Sequence, residues 1–182
     1  LRGVIGAGSN RMNIYTVGLA TQGFANYLNN KFKGEISVSI AHDSRIKSDV
    51  FAKRAATILA ANGIKVNLFD SLRPVPELSF SVRELKCKGG IAITASHNPK
   101  QYNGYKVYGP EGYQVTDADA TAIIDFVNKV TSFADIKTVD FDEAIKNGMI
   151  KIVSEEVDKP YVEAVKSATI RKELIKEKAK DL

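Results

Sequence analysis

The 182-residue sequence contains one cysteine, two histidines and no apolar run that approaches the length of a membrane span. A single cysteine excludes an intramolecular disulfide and any cysteine-based metal cluster, and Cys87, beside a predicted strand, reads as a small buried core residue. His42 has no second ligand at helical or hairpin spacing, so it reads as a satisfied or solvated histidine. The missing membrane-length run and the lack of a signal-peptide pattern lead us to expect a cytoplasmic protein with no membrane partner. RNP, zinc-finger and basic-zipper patterns are also missing, and the lysines are spread along the chain and concentrated only in its tail. The net charge of +5 and the isoelectric point near 9.2 are therefore not read as a nucleic-acid footprint. Excess positive charge suits instead a protein whose ligand carries phosphate. The early GVIGAGS stretch, residues 3–9, lacks the third glycine of GxGxxG and has no strand of useful length before it. We expect it to be a flexible loop that carries Arg2 into a site, with Arg11 either a phosphate contact or a surface cation.

What is present is a regular alternation. Asn13 can cap a helix over 14–28, with Ile14, Val17, Ala20, Phe24 and Leu28 on one face, and residues 35–41 alternate Ile36, Val38 and Ile40 as a strand. Ser48 opens a second helix to Ala61, stopped by Asn62-Gly63, and a strand follows over 64–69. Pro76 stands at the start of a third helix to about Leu85, which leads to a strand at Ile91. Such repetition with short links predicts an α/β fold, a three-layer αβα domain on a mixed, mostly parallel sheet. Residues 105–108 and 113–115, flanking Gly109-Pro110-Glu111-Gly112, are expected to form a hairpin added to the sheet. Thr116 then opens a helix to about Lys129, in which Asp117 and Asp119 read as first-turn acids favoured by the helix dipole. Asp140 precedes a short helix ending at Asn147-Gly148, and residues 150–153 form a last strand. We divide the chain into a domain over 1–150 and a helical tail, or the start of a following domain, over 151–182; its apolar stripe is Tyr161, Val165, Ile170, Leu174 and Ile175.

Chemistry concentrates between Gly89 and Tyr108, GGIAITASHNPKQYNGYKVY. An apolar strand delivers Ser96, His97 and Asn98 to a sheet edge, where a rigid scaffold holds loops that stay open to ligand. Ser96, His97, Asn98 and Lys100, with Lys106 returning soon after, could surround an anionic group with hydroxyl, imidazole, amide and ammonium donors. A direct Ser96–His97 relay of the serine-hydrolase kind is disfavoured, because adjacent residues of an extended segment point apart and the G-x-S-x-G elbow is missing.

The Thr94-Ala95-Ser96-His97-Asn98-Pro99 loop followed by Asn103-Gly104-Tyr105-Lys106 resembles the active-site serine loop of the α-D-phosphohexomutases, the phosphoglucomutase and phosphomannomutase family. Leu1-Arg2-Gly3-Val4-Ile5-Gly6 resembles that family's N-terminal arginine loop. His42-Asp43-Ser44-Arg45 is similar to its Arg-Asp-x-Arg segment, with His42 departing from it. Arg11-Met12-Asn13 and Lys100-Gln101 are similar to the branch that includes phosphopentomutase-like enzymes. The resemblance implies a phosphosugar mutase in which Ser96 carries a phosphoryl group and exchanges it with a sugar phosphate through a sugar 1,6-bisphosphate. His97, Lys106 and Arg2 would act at the reacting group, and Arg11, Arg45, Asn98 and Lys100 would serve substrate or phosphate binding. Asp43 and Arg45 could alternatively pair to hold their loop, and Asn98 could simply shape its turn. The resemblance also implies Mg²⁺, held by an oxygen of phosphorylated Ser96 and by an aspartate loop, DGDxDR, that this sequence lacks. The chain is accordingly expected to need the remaining domains of a longer protein as partners and not to turn over substrate alone. A stand-alone phosphosugar-binding module is the alternative.

Overall fold

The computed structural model describes residues 1–181, apart from the side chains of Lys172 and Ile175. Six strands form one sheet in the order β1-β5-β4-β2-β3-β6. Strands β2 (Ser37–His42), β3 (Lys65–Phe69), β4 (Gly89–Ile93) and β6 (Ile150–Val153) run parallel, and β5 (Tyr102–Tyr108) lies antiparallel to both β4 and β1 (Arg2–Val4). This is the mixed, mostly parallel sheet expected.

Strand alternation divides the core into two layers. Val38, Ile40, Val66, Leu68, Ile91 and Ile93 face α1 (Ile14–Lys31), α2 (Ser48–Ala61), α4 (Asp117–Asn128) and α5 (Phe141–Lys146). Ala41, Phe69 and Ala92 face α3 (Val75–Glu84) and α6 (Glu155–Ser167), where Leu78, Val82 and Val157 are buried. A last helix, α7 (Lys172–Lys178), follows. Cys87 is buried in the second layer, and burial pushes its thiol up. Asn13 caps α1 by accepting from the Tyr15 and Thr16 amides, and Thr16 completes the capping box. Gly23 lets α4 approach closely, since a Cβ there would sit 2.5 Å from the Val127 backbone.

Four expectations are corrected. First, α1 continues to Lys31, three residues beyond the apolar run that predicted it, because Lys31 gains an ion pair with Asp119 at 2.7 Å and a bond to the Tyr27 hydroxyl at 2.8 Å. Second, Arg2 is carried by a strand and not by a flexible loop. Third, the turn after β1 is tied down as well, with the Asn13 amide donating to the Gly6 and Gly8 carbonyls at 2.9 Å. Fourth, the expected hairpin is short: Tyr108 bridges Gln114, flanked by the Gly109 amide donating to the Tyr113 carbonyl at 2.9 Å and the Val115 amide to the Val107 carbonyl at 3.0 Å, before the chain leaves to enter α4. The sheet continues past residue 150 through β6, which pairs with β3 in register Val66↔Ile150 to Phe69↔Val153. Of the apolar stripe expected in the tail, Val165 and Leu174 are exposed and Ile170 is 96% exposed, while the Ile175 side chain lies outside the described residues.

Candidate functional site

The C-terminal ends of β2, β3 and β4 lie at one edge of the sheet, where ligands bind in parallel α/β folds. The loop after β4 carries Ser96. Its ladder with β5 ends at Ile93↔Tyr105, extended only by the Thr94 amide donating to the Gly104 carbonyl at 3.0 Å. Gly104 is required at this point, because a Cβ would stand 2.5 Å from the Thr94 carbonyl oxygen.

Ser96 is exposed and adopts the left-handed region with φ of 56°, which is uncommon for a residue with a Cβ and is found at sites where surroundings over-determine the backbone. Its amide donates to Thr94 Oγ1 at 2.9 Å and its carbonyl accepts from Arg45 Nη2 at 2.7 Å. Its hydroxyl is met by Lys106 Nζ at 2.6 Å. Lys106 and Arg2 project from the same face of the sheet by strand parity, since Arg2 pairs with Gly104, two residues before Lys106. Both border a cleft of about 900 Å³ between β5, α1 and α4, which lies on the other face of the strand, the one to which Tyr105 and Val107 point.

Arg45 scaffolds the serine loop. Its Nη1 donates to the Pro99 and Tyr102 carbonyls at 3.0 and 3.1 Å, and its Nη2 to those of Ser96 and Asn98 at 2.7 and 2.6 Å. Asp43 Oδ2 stands 3.5 Å from Arg45 Nε, so the paired, loop-holding alternative describes the observed contacts. Four carbonyls occupy the guanidinium fork, which ties Arg45 to the loop backbone.

Ser96, Asn98, Lys100 and Arg45 line a pocket of about 370 Å³ together with Asp43, Ser44 and Ile46. The turn at Asn98 is closed by its backbone, the amide donating to the Ala95 carbonyl at 3.1 Å, while its Oδ1 is buried without a partner. His97 is exposed, and among the described residues no hydrogen bond links it to Ser96. Arg11 is exposed in the turn before α1 and lines neither the serine pocket nor the large cleft. His42 Nδ1 stands 3.1 Å from the Asp43 carbonyl. Tyr105, on the face opposite Lys106, is buried, and burial holds its phenol above the usual range, which makes it a core group with no proton to exchange near neutral pH.

Two residues, Asn103 and Ser48, were missed as parts of this site. Asn103 is fully buried and donates to Ser48 Oγ and to the Ile46 carbonyl, at 2.9 and 3.1 Å. A polar residue within a strand that buries its neighbours was the available signal, because such a group requires partners.

The sequence matches the family described as phosphoglucomutase/phosphomannomutase, alpha/beta/alpha domain I, over residues 1–134. It is 40% identical over 167 residues to a phosphoglucomutase of Staphylococcus saprophyticus, covering 92% of this chain and 30% of the relative. Among solved structures, a Thermus thermophilus protein assigned as a phosphomannomutase superposes with a TM-score of 0.67 at 35% identity, over 79% of this chain and 32% of that one. The pp63/parafusin phosphoglucomutase of Paramecium has a TM-score of 0.69 over 93% of this chain and 34% of its own; at 19% identity it shows the fold alone. The chain thus spans 30% of the length of the Staphylococcus saprophyticus relative. With the serine loop, its lysine and the αβα sheet all in place, the chain belongs to the phosphoglucomutase/phosphomannomutase family and carries that family's domain I.

Proposed function

We propose that this chain is the phosphoserine-bearing part of a longer phosphosugar mutase that interconverts sugar 1-phosphates and 6-phosphates. The observation that carries the reading is the Lys106 ammonium at 2.6 Å from the hydroxyl of Ser96, itself exposed at the strand ends. As a phosphoryl group leaves Ser96 Oγ for a sugar hydroxyl, the P–O bond breaks and charge develops on Oγ, where Lys106 donates a hydrogen bond to it. On return, Oγ attacks a phosphoryl group of the bisphosphate, the P–O bond to the sugar oxygen breaks, and the proton given up by the serine hydroxyl is matched by the one that the departing sugar oxygen takes up. His97, exposed beside Ser96, is free to exchange a proton with the sugar hydroxyl, and Lys100 and Arg2 add positive charge for the phosphate. Arg45 shapes the loop.

The family implies Mg²⁺. Among the described residues no group of three His, Cys, Asp or Glu side chains could hold an ion, so this donor set does not fit a complete Mg²⁺ site. Ser96 would offer one oxygen through its phosphoryl group, and the other ligands would come from further domains of the same protein. Residues after β6 lead toward those domains in this reading. We propose a cytoplasmic place for a protein acting on phosphosugars; separately, no described helix is long and apolar enough to cross a membrane.

The test is Ser96→Ala in the full-length protein. Turnover of glucose 1-phosphate or mannose 1-phosphate is expected to fall by about 10³-fold or more, with binding of the same phosphosugar retained. Turnover within tenfold of wild type (roughly 1.4 kcal/mol) would contradict the mutase reading. Wild-type binding without turnover would favour the stand-alone binding module.

A further inference from the structure

We infer that Asn103 and Ser48 are positioning residues for the phosphoryl transfer proposed above, on which this inference rests: they close a buried polar frame that fixes Lys106 against Ser96.

The frame starts on β5, three residues before Lys106. Asn103 Oδ1 accepts from the Gly104 amide at 2.8 Å, and Asn103 Nδ2 donates to the Ile46 carbonyl at 3.1 Å and to Ser48 Oγ at 2.9 Å. Ser48, 1% exposed at the first residue of α2, passes the connection on by donating to Asp43 Oδ1 at 3.1 Å. The same oxygen accepts from the Arg45 amide at 3.0 Å. Arg45 then reaches the carbonyls of Ser96, Asn98, Pro99 and Tyr102, the last being the neighbour of Asn103. Lys106 to Ser96, at 2.6 Å, completes a ring of hydrogen bonds that runs from the lysine strand through the helix terminus to the serine loop and back.

Two features separate this ring from ordinary core packing. Ser96 lies beyond the end of the β4–β5 ladder, so no sheet pairing sets its distance from Lys106; apart from the Thr94 contacts, the ring is what spans the gap. Both donor hydrogens and the carbonyl oxygen of the Asn103 amide are also used, which fixes one orientation of the group where an apolar side chain would fix none. Near-attack geometry is sensitive to such control, and a displacement of ~1 Å costs about 100-fold in rate.

The experiment uses the full-length protein carrying Asn103→Asp or Ser48→Ala, with Ser81→Ala as the control. Asn103→Asp keeps the shape and one acceptor but replaces the donors by an oxygen facing the Ile46 carbonyl. Ser48→Ala removes the node. Ser81 is as deeply buried and bonds Ser39 Oγ at 2.7 Å on the opposite side of the sheet. Thermal melts and steady-state kinetics are measured with whichever of glucose 1-phosphate and mannose 1-phosphate the wild type turns over faster. We expect kcat to fall about 100-fold in both variants, with KM within about threefold and a cooperative melt retained, while Ser81→Ala stays within about twofold of wild type. A kcat loss of less than about tenfold, a loss confined to KM, or a control that falls as far as the variants would overturn the inference. So would unfolding of both variants, since the ring would then be an element of the fold alone. Wild-type protein without phosphosugar turnover sinks the mutase reading itself; wild-type turnover with unimpaired variants sinks only the positioning role.

Discussion

At the scale of single residues, the serine loop is held by groups with almost no room to change. Gly104 lies against the Thr94 carbonyl, and a methyl group there would stand 2.5 Å from that oxygen. Since backbone has to move in response, Gly104→Ala is expected to cost about 1–3 kcal/mol and to lower the full-length protein's kcat by about tenfold or more through the shifted Ser96–Lys106 pair. Thermal melts and steady-state rates check both numbers; an unchanged rate would mean that the strand can slide without disturbing the pair. Ser96, Lys106 and Lys100 were legible in the sequence because they lie within a short stretch. The use of Arg45 was only half legible, since its carbonyl partners lie 51 to 57 residues away and no local spacing reports them. Asn103 was visible as a residue but not as a contact, because Ser48 lies 55 positions off.

At the scale of elements, α6 is fastened to α3 by a partly buried charge cluster at the strand ends. Arg73 bonds both Asp158 oxygens at 2.8 and 2.7 Å, and Glu77, 4% exposed, lies 4.0 Å from Arg73 Nε. Glu77 is pushed up to about 7, first by burial and then by its hydrogen bond and repulsion with Asp158, against the pull of Arg73. A carboxyl that holds its proton more tightly folded than unfolded adds stability in acid and loses it as pH rises from 4.5 toward 7. Asp158 runs the other way: Arg73 holds it below the usual range, so its stabilisation is present above the ordinary carboxylate value and lost as pH falls through its folded value. Glu77→Gln is therefore expected to raise the melting temperature at pH 8 by about 2–4 °C and to leave it nearly unchanged at pH 4.5, the ordinary value of this carboxyl. Equal differences at the two pH values would contradict this assignment. Helices α1 to α3 and the parallel strands were readable from periodicity, with the Asn13 cap marking the start of α1, because each satisfies its pattern within its own residues. The pairing of β1 with β5 was not, since it depends on which strand edge is left free.

At the scale of the whole molecule, a six-stranded αβα unit presents a serine and its lysine but, among the described residues, lacks the side chains to hold Mg²⁺. Relatives of this chain are longer, the Staphylococcus saprophyticus phosphoglucomutase being matched over 30% of its length. The reaction proposed above needs what the rest of such a protein would supply, and in that proposal this unit would contribute the group that carries the phosphate between turnovers. The measurement that tests this most directly is phosphosite mapping by mass spectrometry on the full-length protein purified from its source cells. Phosphate on Ser96, removed by incubation with a sugar 1-phosphate and restored by a sugar 1,6-bisphosphate, is the predicted result. A protein that turns over phosphosugar while Ser96 stays unmodified throughout would contradict the account.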